Sequence, residues 1–427
     1  MTIVSAVPPA APQPPAPPVS ATRERLILWL LALTQFTVIM DFMVMMPLAP
    51  QLMQAFGKTP AAVSGAVSVY SWCAGLSGLL AMTYIDRFDR KRLLLAMFFL
   101  FTVSNLACAL APNFHVLVLS RAFAGLTGGV LGAICMAIIG DLVPAERRGA
   151  ATGIVMTSFS LAAIAGVPAG VMMSAHFGWQ SAFYLLVGCS VLIWCVALRA
   201  LPAMSAHLKA APVPVARILP ELVGMFRVPA HLKAFALSGM TMMSGMLVIP
   251  FISPVLVGNY GVQPAEITWI YLAGGLATLF SARRIGAWAD RAGKQRVFRV
   301  VAALSILPLM LITHLPHVPL IGMVLMFPFF MTALSGRTVP LQALMTTVPE
   351  PSRRGAFLSA NSAVQQMGTG LGAFVGGLWL STDAAGHISG YGYNGWAAAA
   401  LTVMAILWIS RVQSAAVAAP AAARSAA

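Results

Sequence analysis

Three ionisable side chains fall inside apolar stretches long enough to cross a bilayer, and their types set what chemistry is open to this chain. Asp41 lies in Thr37-Val-Ile-Met-Asp-Phe-Met-Val-Met-Met-Pro-Leu-Ala-Pro50, within an apolar run that begins near Leu26. It is about 15 residues into that run, roughly 22 Å along a helix rising about 1.5 Å per residue. An ionised carboxylate at such depth costs on the order of 3 kcal/mol, so it must be neutral, paired or wet. A carboxyl in low dielectric favours its neutral form, and an approaching arginine favours the charged one. A group that alternates between those settings loads and releases a proton. The alternative for Asp41 is a structural acid bonded to a neighbouring helix. Arg121 follows the turn Ala111-Pro-Asn-Phe-His115 by about two helical turns, roughly 9 Å below the surface. Asp41, measured from the opposite face, comes to a similar level. Arg337 lies roughly 16 Å from its nearer face, close to mid-membrane. It either faces a cavity or bonds carbonyls of a helix broken near Pro340.

The elements that must position these residues are membrane helices. The chain has 427 residues, 59% hydrophobic and 9% charged, against roughly 25% charged in soluble domains. Apolar runs recur at 26–48, 61–85, 93–111, 115–142, 150–175 and 181–201, then at 232–257, 265–289, 297–315, 318–347, 355–380 and 395–412. This predicts an all-α membrane protein with twelve transmembrane helices. The domains expected are a disordered tail over 1–25, a six-helix bundle over 26–201 and a linker over 202–229. A second bundle follows over 230–412, then a tail over 413–427. The formal charge of +15 does not mark a nucleic-acid binder. All 26 Lys and Arg except Lys58, Arg121 and Arg337 fall in the N-terminal flank, alternate loops or the C-terminal tail. That is the positive-inside pattern, which places both termini in the cytoplasm and the basic loops against lipid heads. The five Cys sit in apolar runs without ligand spacing and read as small buried hydrophobes, so no metal is expected.

The halves repeat. Asp86-Arg-Phe-Asp-Arg-Lys-Arg92 is echoed by Asp290-Arg-Ala-Gly-Lys-Gln-Arg296, and Val143-Pro-Ala-Glu-Arg-Arg-Gly149 by Val348-Pro-Glu-Pro-Ser-Arg-Arg-Gly355. Met40, Asp41, Met43 and Pro47 fall opposite Met243, Ser244, Met246 and Pro250 at nearly the same separation. Such agreement predicts two parallel six-helix repeats. With these residues the chain resembles the major facilitator superfamily, most closely its twelve-span drug:proton antiporter branch. The family's loop motif Gly-x-x-x-Asp-Arg-x-Gly-Arg-Lys occurs as Gly286-Ala-Trp-Ala-Asp-Arg-Ala-Gly-Lys294. In the first half Met82 and Asp89 replace its two glycines. The resemblance implies a conformational latch built from Asp86, Arg87 and Arg90 and from Gly286, Asp290, Arg291 and Gly293, the second copy being the stronger. Arg121-Ala-Phe-Ala-Gly125 is similar to a fourth-helix motif linked to proton movement. Gly166, Pro168 and Gly170 are similar to the fifth-helix antiporter motif, a packing element.

The resemblance places spans one and four along one cavity, so Asp41 and Arg121 are expected to pair, directly or through water. Alternatively, Arg121 snorkels to the interface and meets no acid. Candidate cavity residues are Met40, Met43, Met243, Ser244, Met246, Arg337, Gln365 and Gln366. Flexible thioethers suit varied apolar shapes, although lipid-facing packing accounts for them almost as well. One acid against two bases at depth disfavours a permanently cationic substrate. No phosphate-cradling loop supports ATP drive, and no nucleophile–base pair supports an intramembrane enzyme. The reading is a proton-coupled secondary transporter exporting a small amphiphilic molecule, with the proton gradient as energy source and no cofactor. Its partners are the substrate, protons and the lipid bilayer of a bacterial inner membrane, and a monomer is expected. The alternatives are uptake by symport or facilitation, and a receptor or assembly subunit that transports nothing.

Overall fold

A computed structural model describes residues 21–144, 147–205, 208, 220, 222–316, 318–350 and 353–413. The first span runs Ala21–Val44, breaks, and resumes as Ala49–Phe56. Pro47 and Pro50 interrupt this helix instead of ending it, because a proline is tolerated in the opening turn of a new segment. The helix also begins before Leu26, so the first span is longer at both ends than its apolar run. Spans two to four are Pro60–Ala81, Arg90–Ala109 and Phe114–Leu142. Each opens on a side-chain cap, from Thr59, Asp89 and Asn113 respectively, satisfying a backbone N–H that the helix leaves free. Span five joins Arg148–Leu161 to Val167–Phe177 through a π-helical turn, Ala162–Gly166. Span six is Gln180–Ala200.

The second half follows the same plan. Span seven runs Pro229–Met246, breaks around Pro250, and resumes as Ile252–Tyr260. Spans eight and nine are Pro264–Ala292 and Lys294–Thr313, and span ten divides at Arg337 into Leu320–Gly336 and Thr338–Met345. Span eleven is Arg354–Leu378. A short antiparallel hairpin, Ser381–Thr382 with Ile388–Ser389, leads to span twelve, Tyr391–Trp408. Among the described residues 11 helices are long and apolar enough to cross a membrane. Span eleven is long enough too, but Asn361, Gln365, Gln366 and its glycines make it too polar to count. It packs between spans two and seven, which bury Asn361 and most of its glycines, while Leu371, Phe374 and Leu378 stay exposed. Side chains at Gly370 or Gly377 would collide with Trp72 or Ala61 of span two, and at Gly368 or Gly372 with the backbone of span seven. Small residues permit this close approach, which dispersion then stabilises.

The two halves meet along two seams. Span two lies on span eleven, and the Val167–Phe177 segment of span five lies on span eight. The outer segments Ala49–Phe56 and Ile252–Tyr260 also touch. The halves are therefore closed together at the end away from the basic loops. At the basic end Leu222 and Met225 of the linker are buried, Met225 against Phe235, Phe298 and Phe357. Most of the rest of the linker, and the tails beyond residues 20 and 413, lie outside the described residues.

Candidate functional site

Asp41 sits three residues before the first span breaks, with its side chain fully buried. Arg121, fully buried on span four, donates from Nη1 to Asp41 Oδ1 and from Nη2 to the Asp41 carbonyl at 3.4 Å. The pair expected from matched depths is therefore direct. Its guanidinium also lies over the Tyr70 ring of span two, 4.4 Å from the centroid. Such a face attracts a desolvated cation. What brings these spans together is glycine: a Cβ on Gly125 would stand 2.3 Å from the Tyr70 carbonyl, and one on Gly129 would stand 2.2 Å from the Ala74 carbonyl. Asp41 Oδ2 and Arg121 Nε have no partner among the described residues. One carboxylate oxygen thus holds the arginine, and the other is buried without a partner among the described residues. Separating such a pair in a dry interior costs about 3–5 kcal/mol, because either charge is then stranded.

The break after Asp41 is packed onto span five. Met40 and Val44 fill the space left open at Gly166 and Gly170, at 3.0 and 2.8 Å from Cβ atoms built there. The π-helical turn just before Pro168 carries the other side of this contact: the Ala163 carbonyl lies against Gly275 of span eight, across the seam. One line of contacts therefore runs from Asp41 through span five to the second half.

Arg337 stands at the division of span ten and is 2% exposed. Nη1 donates to Thr402 Oγ1 at 3.0 Å and Nη2 to the Thr241 carbonyl at 3.1 Å, while both reach Ser244 Oγ at 3.4 Å. Ser244 in turn bonds the Ala398 carbonyl and Thr402 of span twelve. Ser244 and Arg337 thus face the interior of their own bundle and not the seam. Met40 is likewise enclosed in the first half. Among the other cavity candidates, Met43 joins clusters containing residues of both halves, and Met246 joins one of them. Gln366 lies against Gly75 across the seam, and Gln365 accepts from Gln342 at 3.2 Å. Met243 places its backbone against Gly372.

A model of the Major Facilitator Superfamily matches this chain twice, over residues 31–238 and 234–426. The chain belongs to that superfamily. It is 25% identical over 368 residues to a protein of Helicobacter acinonychis (strain Sheeba) named "Probable sugar efflux transporter", covering 85% of this chain and 89% of that one. Its fold is similar to the crystal structure of a D-xylose-proton symporter, with TM-score 0.73 and 16% identity over 90% of this chain and 96% of the other. A bacterial homolog of the human lysosomal transporter Spinster, in an inward-facing and unoccupied conformation, is similar at TM-score 0.70 and 16% identity. That match covers 92% of this chain and 95% of the other. The double match agrees with the two six-helix repeats read from the sequence, and the chain is a multi-pass membrane transporter of this superfamily.

The superfamily's loop motif behaves differently in the two halves. In the first, Arg90 donates to Asp141 at 2.9 Å, to Asp86 at 2.6 Å and to the Ile85 carbonyl at 2.8 Å. Asp89, standing where the motif has glycine, caps span three and accepts from the Met204 backbone at 2.9 Å. In the second half Gly293 makes the turn at φ 91°, a conformation that favours glycine. Asp290 and Arg291 are exposed and form no ion pair among the described residues. In this conformation the first-half loop is the one that carries a closed network among the described residues. A Cβ built on Gly286 would stand 3.7 Å from Val339, and Arg87 is exposed. Sequence reasoning missed Tyr70, Asp141 and Thr402. Each is an ordinary residue for its place, and its partner lies on another span.

Proposed function

We propose that this protein is a proton-coupled secondary transporter that exports a small, neutral, amphiphilic molecule by alternating access, with Asp41 as the proton carrier. The observation that carries this reading is the fully buried Asp41–Arg121 pair at the break of the first span. When the halves rock, span one bends at that break, and the pair tightens or parts. Pairing with Arg121 keeps the carboxylate charged; parting in low dielectric draws a proton onto it. Export is supported by similarity to the probable sugar efflux transporter, and sugars belong among the compounds to try. A neutral substrate fits a seam that offers Met43, Met246 and glutamine amides, with both deep arginines engaged inside their own bundles. The basic loops support a reading in which both termini lie on the cytoplasmic side of a bacterial inner membrane, and a monomer is part of the same proposal.

The test is purified protein in proteoliposomes holding an internal pH dye, screened with neutral, anionic and cationic compounds. Substrate gradients should drive protons the opposite way. Protons moving with the substrate would establish symport, and saturable binding without flux would establish a receptor.

A further inference from the structure

The first and seventh spans are broken at equivalent places, and each break is held by an arginine from its own bundle. Span one ends its first segment at Val44, three residues after Asp41, and span seven ends its first segment at Met246, two residues after Ser244. Asp41 and Ser244 are repeat partners, and Pro47 and Pro250 stand in the two breaks. Arg121 reaches a side-chain oxygen of Asp41 and the main-chain carbonyl of the same residue. Arg337 reaches the side-chain oxygen of Ser244 and the main-chain carbonyl of Thr241, one turn earlier on the same span. Each arginine also engages a third span of its bundle, Arg121 through the Tyr70 ring and Arg337 through the Thr402 hydroxyl. The arginines are not repeat partners themselves: Leu131 falls opposite Arg337. The same clamp is therefore built twice from unrelated positions.

The two clamps differ in one respect. The first contains a titratable partner and the second does not. Around Asp41 stand Arg121, the Tyr70 phenol of span two and the Cys108 thiol of span three. Around Arg337 stand Ser244, Thr241, Thr402 and Leu334, and no acid or other base among the described residues is close enough to act on its charge. A guanidinium bonded only to hydroxyls and a carbonyl stays charged, and in a dry interior it cannot leave those acceptors cheaply. No proton can loosen it.

We propose that Arg337 is a positioning residue that pins the break of span seven independently of pH, the unswitched counterpart of the Arg121–Asp41 clamp. The asymmetry confines the proton response to the first half and leaves span seven as the fixed side of the gate. This inference rests on the reading of Asp41 as the proton carrier, and the experiment separates the two.

Hydrogen–deuterium exchange of the full-length protein in nanodiscs, followed across pH after correction for the intrinsic rate, reports local opening of each break without needing a substrate. Protection of the peptide spanning 241–252 should be flat with pH, whereas protection of the peptide spanning 38–50 should change with it. Arg337→Gln should speed exchange in 241–252 by about tenfold at every pH, as expected from losing a buried charged hydrogen bond. Thr402→Val, a milder change, should speed it less. Ser244→Asp places a carboxylate against Arg337, and protection of 241–252 should then become pH-dependent. A pH-dependent 241–252 peptide in the unaltered protein overturns the proposal. So do unchanged exchange in both Arg337→Gln and Thr402→Val, and a flat profile in Ser244→Asp. A flat 38–50 peptide with a responsive Ser244→Asp would instead overturn Asp41 as carrier and leave the pinning role of Arg337 standing.

Discussion

A buried carboxylate and a buried guanidinium depend on each other, and this makes Asp41 and Arg121 a unit. Arg121→Gln strands Asp41 in a dry interior and should cost about 3–5 kcal/mol of stability unless the acid takes up a proton. Adding Asp41→Asn to that variant should recover much of the loss. Thermal melts in detergent check this, and a double variant less stable than Arg121→Gln alone would show that the pair is not the source of the cost. This pair was legible from the sequence because depth can be counted along a helix and the family resemblance puts spans one and four side by side. Direction could not be counted. In a span that is apolar on every side, no polar face reveals which way Arg337 turns, and only the packing of spans seven, ten and twelve shows that it points into its own bundle. Tyr70 was illegible for the same reason, since its role comes from the glycines of span four.

At the scale of elements, the sequence pattern located all twelve spans, including the eleventh, whose polarity is shielded by its neighbours. It did not locate the breaks fully. The apolar runs 26–48 and 232–257 each predict one unbroken span, whereas each divides and continues into Ala49–Phe56 or Ile252–Tyr260. The loop motif shows the limit of reading glycines alone. Asp89 replaces a turn glycine with a helix cap, and Asp141, supplied by the far end of span four, completes the network around Arg90. Arg90→Gln should therefore lower stability by about 1–3 kcal/mol, the worth of hydrogen bonds to charged groups. Arg291→Gln, at an exposed site without an ion pair among the described residues, should change it by less than about 0.5 kcal/mol. Melting curves of the two variants decide the matter; an equal loss in both would mean that the second-half loop is engaged as firmly as the first.

The whole molecule is two similar bundles that meet along two seams, with the buried Asp41–Arg121 pair inside the first bundle. The orientation proposed from the basic loops predicts that a thiol introduced as Lys58→Cys should react with a membrane-impermeant reagent added outside intact cells. One introduced as Ala150→Cys should react only after the cells are opened. The reverse pattern would invert the topology and with it the direction of coupling. The central claim, that Asp41 carries the proton, has a more direct measurement. Once the screen supplies a substrate, its accumulation against a gradient and its one-for-one exchange are compared in Asp41→Asn and unaltered protein. Asn copies the neutral acid in shape but cannot release a proton. Asp41→Asn should abolish accumulation driven by a pH gradient while binding and exchange persist. Accumulation that survives in Asp41→Asn, still powered by the proton gradient, would contradict the account and make Asp41 a structural residue.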